Sequence, residues 1–345
     1  MFKPPSIARL AAVALALMMP APSVAQEGRG IVQDVMRAHI LPRMEDLATS
    51  TRTLDEVASQ TCDIKDPDLR AAYADAFDAW VAASHLRFGP TEVNDRAYAL
   101  AFWPDTRGIT PRTLRGLIAD ADPIVDTVEG YADVSIAARG FYALEMVIFD
   151  PEIAVLGDAE YRCDLMQVIA ADTANLGAAI LADWQGDYAE ALVNPGAENS
   201  PYRTEAEALQ ELFKALTYGL EFTSDTRLGR PLGTFDAPYP KRAEAWRAGR
   251  SLRHVRLSLA ALETLASQLA QRDRLVRAKL KSGFNVAIED AAALEDPVFA
   301  GVAEPAARIR VEALQQSIDR VRDAVRGELG PELGVASGFN ALDGD

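Results

Sequence analysis

Apolar residues recur along nearly the whole chain at intervals of three and four, the spacing of one helical face, and sustained two-residue alternation is absent. That pattern predicts an all-α fold. In DPDLRAAYADAFDAWVAASHLRFGP, Asp66 is placed as an N-cap with Pro67 in the first helical position. Leu69, Tyr73, Ala76, Phe77, Trp80, Val81, Ser84 and Phe88 form one stripe, and Gly89-Pro90 stops it. A second Pro-to-Gly unit runs from Pro305 to Gly330-Pro331, with Val311, Leu314, Ile318, Val321 and Val325 on one face. Helical stripes are also expected over Tyr161–Trp184 and over Ala243–Lys281, the latter as one helix long enough to cross a bundle.

The amino-terminal MFKPPSIARLAAVALALMMPAPSVAQ carries Lys3 and Arg9, a short apolar run and small residues at Ser23 and Ala25. It is read as a secretory signal peptide over residues 1–25, with cleavage after Ala25 and no lipid-anchoring cysteine, so the expected location is the periplasm. The apolar run is too short to span a bilayer, and no transmembrane segment is expected elsewhere. Length and loop signals predict two helical-bundle domains packed side by side, over residues 26–156 and 157–345.

The chain has a formal charge of −16, which becomes −18 without Lys3 and Arg9. Such a chain repels nucleic acid and anionic lipid. Its two cysteines, Cys62 and Cys163, are expected to pair in an oxidising compartment and are too few for a structural zinc site. HExxH, GxSxG, GxxxxGK[ST] and CxxCH motifs are all absent. His39, His85 and His254 lie too far apart to read as one motif.

What remains is a set of polar residues in apolar helical context. In ARGFYALEMVIFD (Ala138–Asp150), Glu145 is expected to be buried, with Tyr142 three residues earlier on the same face. The alternatives for such a carboxylate are a hard cation, an arginine (Arg87, Arg107 or Arg139) or only its own proton. His85 and Arg87 close a helix at a Gly-Pro stop, where side chains often face a cleft. Trp103-Pro104-Asp105 and Arg107 follow in a turn-like segment.

Five segments, AWVAASHLRFGP, FWPDTRG, ARGFYALEMVIF, RAEAWRAGRSLRHVRLSLAAL and the terminal GFNALDGD, together resemble the imelysin family in the same order over essentially the whole mature chain. The resemblance implies two helical bundles with a site where they meet, a periplasmic or envelope-attached location, and a link to iron uptake. The family is also grouped by name with peptidases. Its hallmark GxHxxE appears here as Gly140, Tyr142 and Glu145, so tyrosine stands at the histidine position. Neutral tyrosine is a poor ligand for zinc or iron.

The expected site comprises Tyr142, Glu145, Arg87, His85, Asp105, Arg107 and, in the acidic tail, Asp343. Glu145 is the candidate metal ligand, and iron or another divalent metal is the cofactor that the resemblance allows. The expected function is a periplasmic binding protein for a metal ion or small ligand. A metal-dependent peptidase and a helical interaction module for an envelope protein are the alternatives.

Overall fold

A computed structural model describes residues 24–196 and 201–335 of the chain. The signal segment through Ser23 and Asp343 lie outside the described residues. Ten helices of ten or more residues occur among them: α1 (Val24–Val35), α2 (Leu41–Ala58), α3 (Pro67–Ala83), α4 (Ile109–Asp120), α5 (Gly140–Phe149), α6 (Ala159–Gln185), α7 (Glu205–Glu221), α8 (Ser251–Leu269), α9 (Arg274–Ala293) and α10 (Pro305–Ala324). The described residues contain no strand, only an isolated bridge between Thr234 and Ala237. The fold is all-α.

The Pro-opened helices start where the sequence places them. Asp66 accepts from the amides of Asp68 and Leu69, with Pro67 at the first position of α3. Its stripe from Leu69 to Val81 is buried. The helix ends at Ala83, six residues before Gly89, because Ser84–Phe88 leaves helical geometry to enter a tight 3₁₀ turn over Gly89–Thr91. Helix α10 opens at Pro305 and buries Val311, Leu314, Ile318 and Val321.

The long helix expected over Ala243–Lys281 is broken twice. Ala245 and Gly249 adopt positive φ values of 47° and 72°, so residues 243–250 form a turn before α8. The second break falls at residues 270–273, where Asp273 accepts from the amides of Leu275 and Val276 and starts α9 afresh. Residues 243–250 prove decisive for the site.

Two packing groups share the interior. Helix α6 lies along α2 and also touches α5, while α3 packs on α2 as well. Helices α8, α9 and α10 pack in sequence, with α7 against α8 and α10. Helix α3 joins the groups by packing on α8. Helix α6 is apolar and long enough by composition to cross a membrane, but half of its apolar window is buried in the fold. Cys62, just beyond α2, is disulfide-bonded to Cys163 in α6. A cross-link closing a loop of about 100 residues contributes roughly 3–5 kcal/mol.

Candidate functional site

Helix α5 is apolar on almost every side, and Gly140 to Glu145 are all buried. It can begin where it does because Gly140 has φ +69° and no Cβ. A Cβ there would lie 2.1 Å from the carbonyl oxygen of Leu100 and 2.3 Å from that of Ala99. The approach seats α5 against the end of the short helix Arg96–Leu100, and Tyr142 and Glu145 meet the 243–250 turn.

Glu145 is 3% exposed. Its Oε1 accepts from the backbone amides of Arg247 at 2.9 Å and Ala248 at 3.1 Å. The three arginines expected as its partners are placed elsewhere. Arg87 pairs with Glu92, and Arg139 forms a two-pronged pair with Asp172 at 2.6 and 2.8 Å. Arg107 is exposed. Arg247 contributes its backbone amide to Glu145 while its guanidinium bonds Asp150 at 2.7 Å. Burial pushes the Glu145 carboxyl up to about 7, against the two amides and the Arg247 charge, which pull it down.

The Tyr142 hydroxyl donates to Glu244 Oε1 at 2.7 Å. Glu244 Oε2 accepts from Arg227 Nε at 2.6 Å, and both side chains are 4% exposed or less. The Arg227 guanidinium also reaches the hydroxyls of Ser84 and Ser258, at 3.2 and 3.3 Å. Burial alone would raise the Glu244 carboxyl. The charge of Arg227 overcomes that and holds it below the usual range. His254 Nδ1 lies 3.1 Å from Glu244 Oε2, but burial lowers its pKa, so the ring is neutral and Arg227 is the counter-charge. Its ring meets Phe77 edge-on at 4.5 Å. Burial, with Glu244 next, raises the Tyr142 phenol well above its ordinary pKa and keeps the hydroxyl a donor.

A cavity of about 230 Å³ opens beside these groups, lined by Trp103, Asp105, Tyr142, Glu145, Arg230 and Trp246 among others. Asp105 faces it but is also occupied as a turn cap, accepting from the amides of Arg107, Ile109 and Thr110 at 2.9–3.2 Å. A second cavity of about 480 Å³ contains His85 and Arg87 with Glu92, Tyr98 and Tyr218. Trp103 lines both. The structure therefore brings Tyr142, Glu145 and Asp105 together, sets His85 and Arg87 on the far side of Trp103, and leaves Arg107 out of both linings.

His85 Nε2 lies 2.8 Å from His39 Nε2, so one ring donates to the other. Burial lowers both, His85 to about 3, and the pair is neutral at ordinary pH. Among the described residues no group of three or more His, Cys, Asp or Glu side chains is placed to hold a metal. Tyr142 is committed to Glu244, and Glu145 receives amides instead of neighbouring donors. This donor set does not fit a bare metal ion.

Arg227, Arg230, Glu244 and the amides of Arg247 and Ala248 were not singled out from the sequence. Glu244 to Arg250 resembles a continuing helix, and only Gly249 with the preceding Pro238 and Pro240 hints at a turn.

An all-helical chain with a partly polar, aromatic-lined cavity where two packing groups meet, floored by a glycine-led helix with a buried glutamate, defines the class. A profile of the imelysin family matches residues 40–325, and the chain belongs to that family. It is similar in structure to an imelysin-like protein from Psychrobacter arcticum 273-4, with a TM-score of 0.76 at 19% identity, covering 93% of this chain and all of that one. It is also similar to a putative iron-regulated protein A precursor from Parabacteroides distasonis ATCC 8503, with a TM-score of 0.71 at 12% identity, covering 89% and 97%. No curated protein matches the chain.

Proposed function

We propose that this protein is a ligand-binding component of the bacterial envelope with a role in iron handling, and that its ligand occupies the cavity beside Glu145 and Tyr142. The observation that carries the reading is the cavity itself: a concave, partly polar space at the junction of two helical groups, with a buried titratable carboxyl on its wall. The iron association rests on the family and on the name of the Parabacteroides protein. A periplasmic location is supported by the signal-like first segment and by the disulfide. We draw the division between the two helical groups after α6, since α6 packs on α2 and α5. The donor set favours a small molecule over a bare ion as cargo.

The test is to purify the mature chain from its native compartment and identify by mass spectrometry what is released on denaturation. The expected result is one small-molecule species per chain from the wild type, lost in Trp103→Ala and Glu145→Ala variants that remain folded. Release of nothing, or release unchanged by both substitutions, contradicts the reading.

One observation favours hydrolysis as a second reading: a buried glutamate stands on the cavity wall, and burial pushes its carboxyl up to about 7, which suits a general base. Cleavage of casein that is abolished in Glu145→Gln would establish it, and cleavage that survives the substitution would exclude this glutamate as the base.

A further inference from the structure

The cavity wall carries a charge opposite to that of the chain. Arg230, Lys241 and Arg242 line it together, in a protein whose formal charge is −16. Among the described residues, none of these three makes an ion pair or a side-chain hydrogen bond. Their contacts are with aromatic faces: Arg230 lies 5.8 Å from the Trp103 ring, Lys241 5.7 Å from Trp246, and Arg242 3.7 Å from Tyr239. Lys241 and Arg242 are exposed and can be solvated where they stand. Arg230 differs, because its Nε is buried and meets no acceptor. An unmet guanidinium N–H away from water is costly, and a second guanidinium nearby adds repulsion. Burial and the Arg242 charge accordingly lower the pKa of Arg230.

The acidic groups of the same wall do not relieve this. Asp105 is committed to three backbone amides, and Asp150, which lies outside the lining, is taken up by Arg247. Glu145 receives amides of the turn. The surplus positive charge thus faces the cavity with aromatic rings around it and no anion of its own.

Building on the reading of this cavity as the ligand site, we propose that its ligand is a small oxyanion, a carboxylate- or phosphate-bearing molecule whose charge sits against Arg230 and Arg242. A guanidinium offers two parallel N–H donors that match either group. The volume of about 230 Å³ lies below that of drug-sized pockets, which suits an acid of a few carbons or a phosphate.

The experiment is a calorimetric titration of the mature, disulfide-intact chain at constant ionic strength with succinate, with inorganic phosphate and, separately, with zinc. One equivalent of succinate or phosphate is expected to bind, and the stronger of the two identifies a carboxylate or a phosphate as the recognised group. Arg230→Gln and Arg242→Gln are each expected to weaken that binding about tenfold or more, with thermal melts confirming the fold. Arg52→Gln, a substitution of an exposed residue on α2, should leave it unchanged. Failure of both anions to bind, or equal binding in Arg230→Gln, overturns the inference. Zinc binding that is lost in Glu145→Gln, without binding of either anion, overturns the anion but keeps the cavity as a ligand site. Absence of binding by all three probes counts against both.

Discussion

Glu145 is buried, and burial raises its carboxyl further than the two amides on it can lower it, which makes its protonation state a stability variable. Its folded pKa of about 7 lies above the ordinary carboxyl value, so the folded chain binds more protons than the unfolded one between those two values. Its contribution is therefore fully present below about pH 4.5 and is lost as pH rises through 7. Glu145→Gln keeps an oxygen for the two amides and removes the titration. The variant is expected to gain stability relative to wild type at pH 8 and to lose that advantage at pH 5, as read by urea unfolding at both pH values. An equal offset at both would contradict the assignment. The histidines act in the opposite sense. His39, His85 and His254 have lowered folded pKa values, so their contribution is present above about 6.5 and is lost as pH falls. The Arg227–Glu244 pair supplies a further residue-scale prediction. Arg227→Met alone leaves a buried carboxylate uncompensated and is expected to cost about 3–5 kcal/mol, whereas Arg227→Met with Glu244→Leu recovers much of that loss. Denaturant midpoints of the single and double variants decide it; a double variant as unstable as the single one would refute the pairing.

At the scale of elements, α5 depends on one glycine. A Cβ at residue 140 would meet two backbone oxygens that side-chain rearrangement cannot move, at a positive φ. Gly140→Ala is expected to lower stability by more than about 2 kcal/mol and to displace Tyr142 from Glu244. A midpoint within about 0.5 kcal/mol of wild type would show that the helix start is not so constrained. The same element shows what could be read from sequence. The buried, apolar helix and the Tyr142–Glu145 face are legible because helical spacing and burial cost are local properties, while the glycine is picked out by the family resemblance alone. The partner of Glu145 was not. It is a pair of amides 102 and 103 residues away, and backbone donors have no side-chain identity to read. The turn that presents them has the spacing of a helix in sequence, since Ala245 at positive φ breaks no rule of composition. His39 and His85 were legible only as isolated residues, because their meeting depends on how α2 and α3 pack.

Over the whole molecule, the two helical groups are joined by polar links as well as by the packing of α3 on α8. Tyr142 of the first group reaches Glu244, Ser84 meets Arg227, and Asp78 of α3 bonds Arg250 and Arg253 beside the start of α8. The all-α class and family followed from periodicity and five short segments. The position of the cavity between the groups was implied by the resemblance, while its cationic wall required the folded chain. An acidic protein that gathers Arg230, Lys241 and Arg242 around one aromatic-lined space concentrates positive potential there. The most direct measurement is a crystal structure of the chain as isolated from its native compartment, refined without any added small acid or phosphate. Continuous ligand density between Trp103, Tyr142 and Arg230 is the predicted result. Only ordered water there, with ligand density instead in the cavity around His85 and Arg87, would contradict the account.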